Sequence, residues 1–187
     1  MQSGTELPET AMQRSRPWSI YAEHRKEVNA AIAGATGPDD DSIALVGIGR
    51  AYDTNLTALG RRFPNVALVD IDRNAMLQGL AAQGQSPSAF PCIAPFDVTG
   101  LEDMPLWGDA AGDLWLERVA SPPVLPGGPY DGIVSLCLLS QLMHAMAERF
   151  GDQHPRYEQF LQAMRAAHLR FLIQAVKPGG WALLLWD

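Results

Sequence analysis

Two short apolar runs, Ile43-Ala-Leu-Val46 and Val66-Ala-Leu-Val69, constrain the fold of this chain more than any other feature. Neither alternates with polar residues, and each stops abruptly, the first at Gly47 and the second at Asp70. A strand that is apolar on both faces has to be covered on both faces, as in a parallel sheet flanked by helices. Between the runs, Leu56, Leu59 and Phe63 recur at helical spacing behind Asp53 or Thr54 as the candidate cap. Strand, helix and strand in that length of chain make a βαβ unit.

The alternation continues in both directions. Ser19 to Ala33 reads as a helix with a stripe of Ile20, Val28, Ala31 and Ile32. Asp72 is placed to cap a helix over Arg73 to Ala82. Ala89 to Phe96 reads as a third strand, and Pro91 and Pro95 put it at a sheet edge, where missing ladder donors are tolerated. An irregular insertion at about 98–129 holds Trp107, Trp115, a helix over Asp113 to Ala120 and a breaker cluster from Pro122 to Pro129. It is longer than an ordinary connection, and its tryptophans read equally as a lid or as a local apolar staple. Asp131-Gly-Ile-Val-Ser135 is a fourth strand, followed by a helix over Leu138 to Phe150. Pro155 suits a first helical turn, and Phe160, Leu161, Met164, His168, Phe171, Leu172 and Ala175 then recur at helical spacing. Pro178 and Gly179 are read as the end of that helix, and Trp181 to Trp186 as a fifth strand. The expected fold is α/β, a doubly wound Rossmann-like parallel sheet with helices on both faces. It occupies one domain over 18–187, behind a polar, flexible arm at 1–17.

A formal charge of -7 argues against nucleic acid, because a protein that neutralises phosphates needs a basic face. The two cysteines, Cys92 and Cys137, match no zinc or redox spacing, so no metal is expected and a reduced, cytoplasmic setting is the natural reading. Cys137 itself reads as a small buried apolar residue, with no adjacent cation in the sequence. No apolar run approaches the roughly 20 residues needed to span a bilayer.

The chemistry concentrates where the first strand turns, at Val46-Gly47-Ile48-Gly49-Arg50-Ala51. Glycines there permit a tight bend and close ligand approach, at the switch point where such sheets bind ligands. Asp70 closes the second strand, where a carboxylate can accept both hydroxyls of a ribose. With Asp72 as the cap, Asp70 is expected to be left for the ligand.

These motifs resemble those of class I S-adenosylmethionine-dependent methyltransferases. Val66 to Leu77 is similar to the family's second motif, and Phe96-Asp97-Val98 to its third. Tyr130-Asp-Gly-Ile-Val-Ser135 with Leu136-Cys-Leu-Leu-Ser-Gln-Leu142 resembles the fourth-strand motif, and Lys177-Pro-Gly-Gly-Trp181 the turn into the fifth strand. The likeness covers roughly Ile43 to Asp187 and implies sheet order 3-2-1-4-5. It also implies that S-adenosyl-L-methionine is bound and S-adenosyl-L-homocysteine released. By that resemblance Gly47, Ile48 and Gly49 approach the methionine part, Asp70 holds the ribose and Ile71 packs on adenine. Asp97 accepts from the adenine amino group beside the Val98 amide, and Ser135 and Leu136 line the path to the substrate. The chain departs from the family pattern at Leu45, where an acidic residue is usual, and at Ala51, where glycine is usual. It also stops after the fifth strand, without the family's C-terminal antiparallel hairpin. It therefore reads as a fragment of a longer protein, or as a chain whose apolar fifth-strand edge self-associates.

Methyl transfer from a sulfonium asks mainly for alignment, and for a base only when the acceptor must lose a proton. The candidates are His24 and His144 as bases, with Tyr21 and Gln141 toward an unidentified acceptor, a small molecule or protein. Two alternatives stand beside this reading. One is a non-catalytic methyltransferase-like binding module. The other is a NAD-dependent oxidoreductase, disfavoured because the dinucleotide fingerprint wants glycine or alanine where this chain has Tyr52.

Overall fold

The computed structural model describes residues 16–102 and 109–186. Trp107 and all but the last two residues of the N-terminal arm lie outside the described residues. Helices α1 (Arg16–Ile20) and α2 (Ala22–Ala35) lead into β1 (Ser42–Val46), α3 (Leu56–Arg62), β2 (Asn65–Val69), α4 (Arg73–Ala82) and β3 (Cys92–Ile93). Then come α5 (Asp109–Val119), β4 (Tyr130–Leu136), α6 (Leu138–Phe150), α7 (Tyr157–Ala175) and β5 (Val176–Leu185). All five strands are parallel, in the order 3-2-1-4-5. The architecture is the doubly wound, Rossmann-like α/β sheet expected from the sequence.

The unbroken apolar strands are explained by what covers them. On one face, Ile43, Leu45, Val66, Leu68, Val134 and Leu136 pack under Val28 and Ile32 of α2, Leu56 and Leu59 of α3, and Met76 and Leu80 of α4. On the other, Ala44, Val46, Ala67, Val69 and Ile133 meet Trp115 of α5, Met146 of α6, and Phe160, Met164 and Phe171 of α7. Successive strand residues point to opposite faces, so one run serves two cores. Among the described residues no helix is long and apolar enough to cross a membrane.

Four local expectations are corrected. The first helix is broken at Tyr21 into α1 and α2. Asn55, and neither Asp53 nor Thr54, caps α3, its side chain accepting from Ala58 N at 3.0 Å. Thr54 is fully buried and Asp53 is drawn toward His24. The third strand shrinks to Cys92–Ile93 at the sheet edge, between a 3-10 turn at Pro87–Ala89 and Pro95. Helix α7 ends at Ala175, so Lys177 to Gly180 belong to β5 and not to the end of the helix. They form an irregularity between the pairs Tyr130–Val176 and Gly132–Trp181.

That irregularity is held by Asp131, which ties together the N-terminal ends of three strands. One carboxylate oxygen accepts from Lys177 Nζ at 2.8 Å, and the other from Ser42 Oγ at 2.6 Å and from the backbone of Ser42 and Asp41. These donors hold the carboxyl well below the usual carboxylate range. The opposite ends of the strands are thereby left to the loops that build a site.

Helix α4 approaches the turn after β1 so closely that Gly79 has no room for a side chain. A Cβ there would stand 2.5 Å from the carbonyl oxygen of Arg50. Alanine is the better helix former by about 1 kcal/mol, so only the close approach makes this substitution harmful. Gly79→Ala is expected to lower stability by about 1–3 kcal/mol, read from urea unfolding. A gain in stability would show that α4 and the turn are not in contact.

Candidate functional site

Strand β1 ends at Val46, and Gly47 (φ +74°) and Gly49 (φ +48°) turn the chain through the left-handed region that glycine tolerates. The amide of Gly47 donates to Val69 O at 2.9 Å, which leans the turn over the end of β2. There Asp70 receives it. One carboxylate oxygen of Asp70 accepts from Gly49 N at 2.6 Å and the other from Asp72 N at 2.8 Å. Asp72 caps α4 through Asn74 N and Ala75 N, as expected. Asp70 lines the cavity while its carboxylate also bridges the ends of β1 and β2. An ionised carboxylate has about four acceptor directions, and two are used here.

The chain beyond the turn is clamped from two sides. Gln83, buried just after α4, donates to Ala51 O and Thr54 O and accepts from Leu56 N. Arg25, buried on α2 and laid over the Trp18 ring, donates to Tyr52 O at 2.9 Å and to Trp18 O at 3.2 Å. Neither residue carries a local sequence signal for this clamp, because the loop backbone that each holds is more than 25 positions away.

A cavity of about 560 Å³ opens over the C-terminal ends of β1 and β2, within the range for small-molecule sites. Val46, Val69 and Phe96 form its base beside Gly47, Asp70 and Ile71. One stripe of α6 supplies a wall through Leu138, Gln141, Leu142, Ala145, Glu148 and Arg149. The facing wall is the segment from Asp97 and Val98 to Glu102. That segment is folded around Asp97, whose carboxylate accepts from Thr99 N, Thr99 Oγ1 and Glu102 N. Trp115 fastens it from below by donating to Thr99 O at 3.0 Å. Fully buried against Phe150 and Phe160, Trp115 is part of the core, the staple of the two readings. Among the described residues the lining is mainly apolar, with the carboxylates of Asp70, Asp97, Glu102 and Glu148 against the guanidinium of Arg149.

The structure therefore gathers Gly47, Asp70, Ile71, Asp97, Val98 and Gln141 at one cavity, with Gly49 behind Asp70. It does not bring Ile48, Ser135 or Leu136 there. Ile48 and Leu136 are buried beneath α2, α3 and α4. Ser135 shares a register position with Val46 but is covered by α7, where its hydroxyl meets His168 Nε2 at 2.9 Å. His144 lies on the exposed side of α6, 3.3 Å from Glu148. Tyr21 and His24 form a second cluster with Tyr52, Asp53 and Cys137. The sequence reading missed the imidazole beside Cys137, because His24 is 113 positions away along the chain. Among the described residues no group of His, Cys, Asp and Glu is arranged to hold a metal ion. The chain matches no protein-family model and no curated protein.

His168 is a buried base, 1% exposed, whose Nδ1 meets no partner among the described residues. Burial lowers its pKa from 6.5 to about 4. The unfolded chain therefore binds a proton between pH 6.5 and about 4 that the folded chain refuses, and stability falls as pH falls through that window. The loss approaches about 3 kcal/mol. The Asp131 contribution is lost only below that carboxyl's ordinary value of 3.8. Urea unfolding at a series of pH values should show the slope above pH 4, and His168→Gln should flatten it.

Proposed function

We propose that this domain binds S-adenosyl-L-methionine and transfers its methyl group to a small-molecule or protein acceptor. The observation that carries the reading is the apolar, acid-rimmed cavity beside the Gly47 turn, bounded by Asp70 and Asp97. An apolar slot with carboxylates at its rim suits an adenosine that presents hydroxyl and amino donors. The excess of carboxylates complements a sulfonium cation.

The same features weigh against a dinucleotide. A pyrophosphate is held by the amides of a glycine turn running directly into a helix N-terminus. Here the Gly49 amide is committed to Asp70, and α3 begins only at Leu56, behind its own Asn55 cap. A diphosphate in the cavity would also face four carboxylates for one arginine.

One observation favours the binding-module alternative: Asp70 and Asp97 are both engaged with backbone amides, as purely structural carboxylates are. Calorimetry separates the readings. S-adenosyl-L-homocysteine is expected to bind with a micromolar Kd and NAD to give no heat. Asp70→Asn should weaken the former at least about tenfold, the cost of a charged hydrogen bond. Binding of NAD in its place would overturn the methyltransferase reading, and no binding of either would leave the scaffold.

A further inference from the structure

The second cluster has a chemistry of its own. Cys137 is the single residue between the end of β4 and the start of α6, and it sits in the left-handed region at φ +46°, ψ +27°. For a residue with a side chain that conformation is uncommon and is concentrated at functional turns. It places the thiol at the C-terminal edge of the sheet, where α2 brings His24 over it. His24 Nε2 lies 3.7 Å from Cys137 Sγ and 3.3 Å from Asp53 Oδ1. Asp53 is set by the same clamped segment that Arg25 and Gln83 hold. The site is open to solvent on the His24 side, where the half-exposed Tyr21 ring stacks on Tyr52 at 5.9 Å.

A nucleophile within reach of a base, itself beside a carboxylate, is the arrangement by which thiols are activated. We propose that Cys137 is a nucleophilic thiol served by His24, attacking carbon electrophiles at the face bordered by Tyr21 and Tyr52. This inference goes beyond the methyltransferase reading and does not depend on it. Asp53 Oδ1, 3.3 Å away, holds a proton on His24 Nε2, so the ring takes up the Cys137 proton at Nδ1 by way of solvent, and its Nε2–H then faces the thiolate. Asp53 faces the ring that has become positive. Sulfur forms the new S–C bond, the carbon–leaving-group bond breaks, and the leaving group departs with its electron pair.

Cys92 is the control built into the molecule. It is also half-buried, it donates to Phe90 O at 3.3 Å, and burial raises its pKa. The test is alkylation of the folded chain by limiting iodoacetamide at pH 7, with each cysteine followed by peptide mass spectrometry. Cys137 is expected to react at least about tenfold faster than Cys92, and the ratio should fall toward one in urea. His24→Gln, which keeps a polar side chain but cannot take the proton, should slow Cys137 by about tenfold or more and leave Cys92 unchanged. Equal rates in the folded chain would overturn the proposal. So would a Cys137 rate indifferent to His24→Gln in a variant that still unfolds cooperatively. If that variant does not fold, the folded-against-urea ratio decides alone.

Discussion

The contact on which the site depends is the one between Asp70 and the amide of Gly49. It joins the ends of two adjacent central strands and sets the direction in which the chain leaves β1. With the Gly47 amide on Val69 O and α4 pressed against Arg50, it leaves the turn little freedom. The cavity lies above Val46 and Val69, with Gly47 of the turn packed close against Leu138 at the start of α6. A polar residue in the turn could not be relaxed independently of α4, since the helix approaches at the distance only Gly79 permits.

The two ends of the sheet are built on opposite principles. At the N-terminal ends, Asp131 gathers Ser42, Asp41 and Lys177 into one compact knot. At the C-terminal ends, polar side chains bind loop backbone: Asp70, Gln83, Arg25 and Asp97 each satisfy amides or carbonyls distant from a helix or ladder. Buried or half-buried backbone groups have to be satisfied somewhere. Using side chains for that purpose lets the loops stay irregular and still be held, which is what a cavity wall needs. It also means that Asp70 and Asp97 combine two duties, since each shapes the wall on which it lies.

Much of this was legible in the chain. The strands β1, β2 and β4, the helices between them and the Asp72 cap follow from apolar runs, helical spacing and one well-placed acid, all local signals. The turn at Gly47 and Gly49 and its partner Asp70 were also legible as a place for chemistry. Ser135 and Leu136 were misread for a definite reason. Neighbouring strand residues face opposite layers, and which layer is a cavity and which is core depends on helices that arrive later in the chain. The Ser135 side chain meets α7 and that of Leu136 meets the α2 side, so neither side chain reaches the slot. The imidazole neighbour of Cys137 was not legible, because it comes from α2.

By itself, the order of apolar runs and breakers determined the layered α/β plan, because a strand without a polar face admits no other covering. Tertiary structure alone decided which side chains converge. It made Asp70 a bridge as well as a rim, sealed Ser135 against His168, and set His24 between Cys137 and Asp53. The physical reason is range. Burial periodicity acts over a few residues and is written into the sequence, whereas a hydrogen bond between positions 24 and 137 exists only once the core has fixed where both backbones lie.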